Sequence, residues 1–152
     1  MSHRPSAGLP RRAILGGMAA SLTLLLMPRA LAGLESALQA RFGDRRPQAG
    51  GVELEISSLV ENGNSVAVTV RANASQPTPS ALHLFMPRNP EPWGSSFRIE
   101  PPALAEFSTR IRLSGSQDLL AVAEWADGRL GANAVSVMVT LGACADDLYG
   151  EF

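Results

Sequence analysis

The fold is indicated most clearly by residues 52–71, VELEISSLVENGNSVAVTVR. Apolar residues alternate with polar ones at both ends of this segment: Val52, Leu54 and Ile56 in the first run, and Val66, Val68 and Val70 in the second. A period of two is typical of a strand with one buried and one solvated face. Asn62-Gly63 lies between the runs and favours a turn. We therefore predict two antiparallel strands that pair across this turn.

Further strands are predicted on the C-terminal side of this segment. They are a continuous apolar run at 81–86, a short strand at 95–100, an alternating run at 107–113, and two strands at 119–125 and 130–141. The last two flank Asp127-Gly128, a strong hairpin signal, whereas the prolines of residues 87–92 interrupt strand pairing. About seven short strands separated by turns predict an all-β protein with an immunoglobulin-like β-sandwich.

A short helix is predicted on the N-terminal side, over residues 34–42. Its apolar residues recur at helical spacing, and Gly43 follows as a C-terminal cap. The predicted organisation is a signal peptide (1–32), a short helix and linker (33–51), a β-sandwich domain (52–141) and a C-terminal arm (142–152).

The N-terminal residues have the layout of an export signal. Arg11-Arg12 directly precedes the apolar run 14–27, and Ala30-Leu31-Ala32 supplies the small-x-small pattern of a cleavage site. Twin arginines indicate the Tat route, either directly or as a folded complex, and hence a periplasmic protein without a membrane segment after cleavage before Gly33. An uncleaved membrane anchor is the alternative, although the run is short for a bilayer span.

Charge and motifs exclude several classes of function. From Gly33 onward nine arginines face fourteen acidic residues, a net charge of −5, which disfavours nucleic-acid binding. The sequence shows no serine-nucleophile motif, phosphate loop or carboxylate pair, so we expect no catalysis by this chain, no cofactor and no metal site.

Cys144 is the only cysteine, so the chain cannot form an internal disulfide. A free thiol in an oxidising compartment is exposed to pairing and oxidation unless it is buried. Two interpretations of Cys144 remain open on this basis. It is either a small buried residue at a strand end, or a reactive thiol on an arm that follows the last strand.

Along most of the predicted mature chain the sequence resembles the Y subunit of the Sox thiosulfate-oxidising carrier. The matching stretches are GGVEL at 50–54, ENGNSV at 61–66, LHLF at 82–85 before NP at 89–90, STRIRL at 108–113, AVAE at 121–124 before DG at 127–128, and VMVTLGAC at 137–144. The resemblance implies an immunoglobulin-like sandwich in a heterodimer with a smaller SoxZ-like sandwich. It also implies an arm whose cysteine, here Cys144, covalently holds a sulfur substrate while separate periplasmic enzymes act on it.

The arm departs from the family pattern. That pattern reads Gly-Gly-Cys-Gly-Gly and ends the chain, whereas here Gly142, Ala143, Cys144 and Ala145 are followed by the bulky acidic segment 146–152. Alanine and aspartate make an arm stiffer and wider than glycine does. Asp146 and Asp147 should also raise the pKa of the thiol. Two alternatives follow: a divergent non-catalytic interaction module, or a carrier adapted to another oxidative pathway.

Other polar residues have structural interpretations. His83, within an apolar strand, is predicted to be a hydrogen-bonded core or edge histidine. Met86 and Met138 suggest copper only in combination with His83 and Cys144, and no ligand spacing supports that site. The remaining three are ascribed to turns and strand faces: Asn73 and Asp127 to turns, and Glu124 to a strand face.

Overall fold

The computed structural model describes residues 29–141 of the 152-residue chain. This part contains one α-helix and nine β-strands. Their bounds are α1 Arg29–Phe42, β1 Gln48–Ala49, β2 Val52–Ile56, β3 Leu59–Asn62, β4 Val66–Ala72, β5 Ala81–Phe85, β6 Trp93–Arg98, β7 Glu106–Ile111, β8 Gln117–Glu124 and β9 Leu130–Leu141.

The strands form two facing sheets. The larger sheet has the order β1-β9-β8-β5-β6, and β3 pairs with the end of β9 beyond the part that β8 covers. β1 and β3 run parallel to β9, while the other pairs in this sheet are antiparallel. The smaller sheet is antiparallel, in the order β2-β4-β7. The predicted all-β sandwich is thus confirmed, with nine strands in the described residues instead of about seven.

The main core lies between the two sheets. Every second residue of β4 points inward, and Val66, Val68 and Val70 are buried as their alternation predicts. The larger sheet contributes apolar residues from its inner face: Leu82, Leu84, Leu119, Ala121, Ala123 and Val137. A continuous apolar core of this kind can stabilise the domain by burial alone.

The outer face of the larger sheet carries α1 as a third layer. Leu38 and Phe42 of the helix pack with Phe85, Val122 and Leu130 of the sheet. This second apolar cluster explains why β5 is buried on both faces and reads as a continuous apolar run.

The helix ends as predicted but begins earlier. Its last residue is Phe42, and Gly43 has a φ of 63°, the left-handed conformation of a helix cap, with its N–H donating to the carbonyl oxygen of Gln39 at 2.9 Å. The predicted start at Leu34 was wrong by five residues, because the first turn begins at Arg29.

Strand pairing confirms one predicted hairpin and corrects the other. β8 and β9 pair antiparallel across Asp127-Gly128, where Gly128 has a φ of 88°. β2 and β4 also pair antiparallel, but their connection is not a simple turn. The connection between β2 and β4 contains β3, which pairs with β9 of the larger sheet and with no strand of the smaller one. Local alternation could not show which sheet the short strand joins.

The Gly50-Gly51 motif, directly before β2, lets the main chain lie close to the ring of Trp125. Gly51 has a φ of 80°, and a side chain there would collide with the ring of Trp125. Gly131 lies against the carbonyl oxygen of Gly50 and against the same ring. The Trp125 indole N–H in turn donates to the carbonyl oxygen of Pro77 at 2.7 Å. Glycines are therefore needed where the tryptophan closes this end of the core.

Among the described residues, no helix is long and apolar enough to cross a membrane. The predicted signal peptide lies outside the described part, apart from residues 29–32 at the start of α1. Cleavage before Gly33 therefore stays a prediction.

Candidate functional site

The predicted attachment residue, Cys144, lies outside the described residues, as do the other predicted arm residues: Gly142, Ala143 and Ala145. The structure describes the chain as far as Leu141, the last residue of β9. Three residues of extended chain bridge roughly 10 Å, so Cys144 is tethered within that distance of the strand end. The described part of the site is the root of the arm, which we define as residues 138–141.

Main-chain pairing with β3 holds the root on one side. Leu59 lies opposite Met138 and Asn62 lies opposite Leu141 in the parallel register. The N–H of Gly63 also donates to the carbonyl oxygen of Leu141 at 2.7 Å. The last described residue is therefore hydrogen-bonded within the sheet, and an arm that follows it starts from a fixed point.

Side chains complete the hydrogen bonding of the root. The hydroxyl of Ser116, the residue directly before β8, accepts a hydrogen bond from the N–H of Val139 at 2.9 Å. The Thr140 hydroxyl donates to the carbonyl oxygen of Val60 at 3.2 Å. These contacts satisfy main-chain and side-chain polar groups where the sheet narrows to two strands.

An open groove lies on the outer face of the larger sheet, between the root and the first part of α1. Its volume is about 770 Å³, and its lining is predominantly apolar. We call this surface the outer groove and define it by Leu34 of α1, Leu120 of β8, Ala134, Ser136 and Met138 of β9, and Pro87 and Arg88 after β5. Met138 is 62% exposed, and its β3 neighbour Leu59 is 59% exposed. Exposed apolar residues next to each other indicate a surface that another segment can cover.

A buried polar cluster lies under the other end of α1. His83 is completely buried, and its Nδ1 is 2.8 Å from the hydroxyl of Ser96. Its Nε2 lies 3.3 Å from a carboxylate oxygen of Glu124, and the ring of Phe42 packs edge-on against the imidazole at 5.2 Å between centroids. Since a carboxylate only accepts, Nε2 carries the proton and Ser96 donates to Nδ1. His83 is thus a satisfied core histidine, as predicted.

Two arginines near the helix end bind the same carboxylate. Arg45 lies 2.9 Å and Arg41 3.5 Å from oxygens of Glu124. Partial burial opposes ionisation of Glu124, but the hydrogen bond and charge of Arg45, the charge of Arg41 and the hydrogen bond of His83 outweigh it and lower its pKa below the ordinary value. Burial and the charge of Arg41 lower the pKa of His83, against the opposing hydrogen bond to Glu124.

Sequence reasoning missed this role of Glu124. It was ascribed to a strand face, whereas the structure makes it the link between the end of α1 and strands β5 and β8. The only signal in the sequence is a single carboxylate at the end of the apolar run 119–125. The arginines that bind it are about eighty residues away, so only the packing of α1 reveals the cluster.

Asn89, the residue after Arg88 of the outer groove, is a second hub of hydrogen bonds. Its side-chain oxygen accepts hydrogen bonds from the Ser114 N–H at 3.1 Å and from the Gln117 amide at 3.1 Å. Its side-chain nitrogen donates to the carbonyl oxygen of Arg112 at 2.8 Å. Asn89 thereby ties the loop after β5 to the segment that leads into β8.

The described residues offer no group of three or more His, Cys, Asp or Glu side chains that could hold a metal ion. The two methionines do not join His83. Met86 packs into the core between the sheets, His83 faces the helix side, and Met138 is exposed at the start of the root. Asn73 and Asp127 each accept a hydrogen bond from the main chain two residues on, as expected of turn residues.

Comparison with protein families gives one match, which covers most of the chain. Residues 38–144 match the family model of the sulfur oxidation protein SoxY, and the matched range ends on Cys144. No curated protein matches the sequence.

Solved structures place the same fold in known proteins. The sulfur carrier protein SoxY from Chlorobium limicola f thiosulfatophilum is 28% identical, with a TM-score of 0.64 over 73% of this chain and 99% of that one. A variant of the superoxide reductase (neelaredoxin) from Ignicoccus hospitalis is 16% identical, with a TM-score of 0.51 over 69% of this chain and 86% of that one. The second likeness concerns the fold alone.

Proposed function

This chain belongs to the family of the sulfur oxidation protein SoxY, and from this premise we propose that it is a non-catalytic carrier of a sulfur-oxidation intermediate. The intermediate, derived from thiosulfate, is held covalently on Cys144 and presented to partner enzymes. The observation that carries the proposal is the extent of the family match, which runs through the whole sandwich and includes Cys144. The structural likeness to a sulfur carrier protein supports it.

The chemistry of the proposed step requires a thiolate and an external electron acceptor. The Cys144 thiolate forms an S–S bond with the terminal sulfur of thiosulfate, and the two electrons released pass to a partner enzyme. Thiolate nucleophilicity and access to the sulfur control the rate of such steps. Cys144 supplies the nucleophile, and the partner supplies the oxidising power.

The root suits a carrier that must enter another protein. β3, Ser116 and Thr140 fix the strand end, so the position from which the arm leaves is defined. A tether of roughly 10 Å then lets the thiol reach a shallow active site while the sandwich remains outside. A fixed root limits the volume that the thiol searches and raises its effective concentration at a docked enzyme.

We propose a cellular location from the N-terminal sequence and a partner subunit from the family and the sheet edge. The twin-arginine leader supports export to the periplasm by the Tat route, where the proposed enzymes would be. A SoxZ-like sandwich subunit is the proposed stable partner. Among the described residues β6 is the last strand of the larger sheet, and its Trp93 and Phe97 are partly exposed although they contact Arg41 and Phe107, so this edge is the proposed place of contact.

The test is the intact mass of the mature protein isolated from its own periplasm, with and without a thiol reductant. The expected result is a sulfur-containing adduct that the reductant removes, and that is absent from a Cys144→Ser variant. A Leu104→Ser variant, changed at an exposed residue that is distant in sequence from Cys144, is the matched control and should carry the adduct. A clean or irreversibly oxidised thiol would contradict the proposal.

A non-catalytic interaction module is the second candidate, favoured by the acidic segment that replaces glycines after Cys144. It predicts that Cys144→Ser leaves the cellular phenotype unchanged. A carrier for another oxidative pathway instead predicts loss of that pathway in the same variant. Growth on different reduced sulfur compounds therefore distinguishes the two.

A further inference from the structure

A second cavity lies at the beginning of β9, whereas the root of the arm lies at its end. It opens between the segment that follows α1 and the turn that joins β8 to β9, and its volume is about 370 Å³. Its lining is largely polar and includes three arginines but no carboxylate. We call it the arginine cavity and define it by Arg45, Arg46, Gln48, Gln76 and Arg129.

Arg129 is the side chain best placed to bind a ligand in this cavity. Its Nε donates to a carboxylate oxygen of Asp127 at 2.7 Å, and its guanidinium carbon lies 5.1 Å from the centroid of the Trp125 ring. The carboxylate and the aromatic face both favour a cation and fix its orientation. Nη1 and Nη2 form no ion pair with a described residue. This free edge of the guanidinium can bind two oxygens of one anion.

The other two arginines of the cavity are held by carboxylates that lie outside its lining. Arg45 binds Glu124 through Nη2 at 2.9 Å, and its Nη1 donates to the carbonyl oxygen of Gly128 at 3.4 Å. Arg46 binds Glu35 through Nη2 at 2.8 Å. These contacts position two further positive charges at the cavity, although they also neutralise part of each charge.

The charges at this end of the molecule balance. The groups are four arginines and four carboxylates: Arg41, Arg45, Arg46 and Arg129, and Glu35, Asp44, Glu124 and Asp127. Attraction of an anion therefore depends on distance, because three of the arginines line the cavity and none of the carboxylates does. We expect modest binding that weakens as salt is added.

Glycines keep the cavity open. Gly50 and Gly128 line it with φ values of 101° and 88°, and a Cβ at either position would meet no described atom within 4 Å. The volume holds a small anion together with several waters, at about 30 Å³ for each water. The side-chain amides of Gln48 and Gln76, which also line the cavity, can donate hydrogen bonds to such an anion.

We propose that the arginine cavity binds a doubly charged tetrahedral oxyanion, such as sulfate or thiosulfate, with Arg129 as its principal ligand. Arg46 supplies a second positive charge, and Gln48 and Gln76 supply amide donors. The choice of a sulfur oxyanion rests on the proposed carrier role, whereas the site itself rests on the arginines and the open cavity.

The site is distinct from the place where the thiol acts. Gly131 lines the cavity, and Leu141 lies ten residues further along β9, which is about 33 Å at the usual rise per residue. Cys144 is tethered within roughly 10 Å of Leu141 and so cannot reach the cavity. The bound anion is therefore held without a covalent bond.

The first experiment is an NMR titration of the full chain carrying Cys144→Ser, in which sodium sulfate replaces sodium chloride at constant ionic strength. Saturable shifts are expected at the Arg129 Nε–H and at the main-chain N–H groups of Gly128 and Gly131, with a dissociation constant below about 10 mM. Thiosulfate should give the same shifts. Acetate, which carries one charge, should bind at least about fivefold more weakly. Shifts that do not saturate, or equal binding of acetate, would overturn the proposal.

A pair of arginine variants tests the principal ligand. Arg129→Gln should raise the dissociation constant of sulfate at least about tenfold, because a charged two-point contact is lost. Arg112→Gln is the matched control, since Arg112 is exposed beyond the end of β7 and does not line the cavity. Equal dissociation constants in the two variants would overturn the role of Arg129.

A second pair changes charge at nearly constant shape. Gln76→Glu places a carboxylate at the cavity and should weaken sulfate binding at least about fivefold. Asn64→Asp adds the same charge in the exposed turn before β4 and should leave binding unchanged. Both positions are exposed, so folding should be retained, and equal effects would contradict the location of the site.

The result is separable from the carrier role, which the intact mass of the unaltered chain measures. A thiosulfate adduct on Cys144 without saturable sulfate binding would overturn the arginine cavity and keep the carrier. Saturable binding that Arg129→Gln abolishes, in a chain that forms no adduct, would keep the cavity and overturn the carrier.

Discussion

The two halves of the outer sheet face share the same strands and differ in what covers them. Over the first half, α1 buries an apolar cluster and closes a polar network around His83 and Glu124. Over the second half, Met138 at the start of the root and its neighbour Leu59 are exposed. The covered half can contribute to stability, whereas the open half can contribute mainly to binding.

The largest expected effect is on the covered half. Phe42→Ala removes a buried ring that packs on Phe85 and His83, and should lower the free energy of unfolding by about 3–5 kcal/mol. Denaturant unfolding measures it, and Leu104→Ala at an 84% exposed site is the control. A loss below about 1 kcal/mol would mean that α1 is not a structural layer.

The next largest loss of stability is expected at Asn89, in the loop that follows β5. Asn89→Ala deletes the hydrogen bonds to Ser114, Gln117 and Arg112 and should cost about 1–3 kcal/mol, because the partners lose their hydrogen bonds inside a packed loop. The exposed Asn64→Ala is the matched control, with a change within about 0.5 kcal/mol. Equal effects at the two positions would contradict the role of Asn89 as a hub.

A smaller and gradual effect is expected from pH in the covered half. Because the folded-state pKa of His83 is lowered from 6.5, the unfolded chain binds its proton first, and stability should fall as pH drops from 6.5 towards that lowered pKa. The lowered pKa of Glu124 adds a separate loss below 4.5. His83→Gln should abolish the upper transition and keep the lower one. An unchanged pH profile in His83→Gln would contradict the assignment.

The smallest effect on stability is expected in the open half. Met138→Ala should change the free energy of unfolding by no more than about 0.5 kcal/mol, because the side chain is largely exposed. The same truncation at a buried position, Met86→Ala, should cost about 2–5 kcal/mol. If Met138→Ala is as costly as Met86→Ala, the open half already serves as core.

Much of this fold could be predicted because its signals are local. Alternation identified β2, β4 and β7, and the Asp-Gly turn between two apolar runs identified the hairpin of β8 and β9. β3 was missed because four residues between two alternating runs, the last of them in the predicted turn, give no clear period. Its parallel pairing with β9 also brings together residues about eighty positions apart. The helix start was missed because the residues before Leu34 also fit an export signal.

The sequence by itself determined the sandwich class, the family and the position of Cys144 after the last strand, since periodicity, motif order and chain order are all properties of the sequence. Only the tertiary structure decided that the root is held by β3, that Arg45 and Glu124 join the end of α1 to the sheet, and that α1 leaves the outer groove uncovered. These features depend on contacts between distant segments, and such contacts follow from packing, which local sequence patterns do not encode.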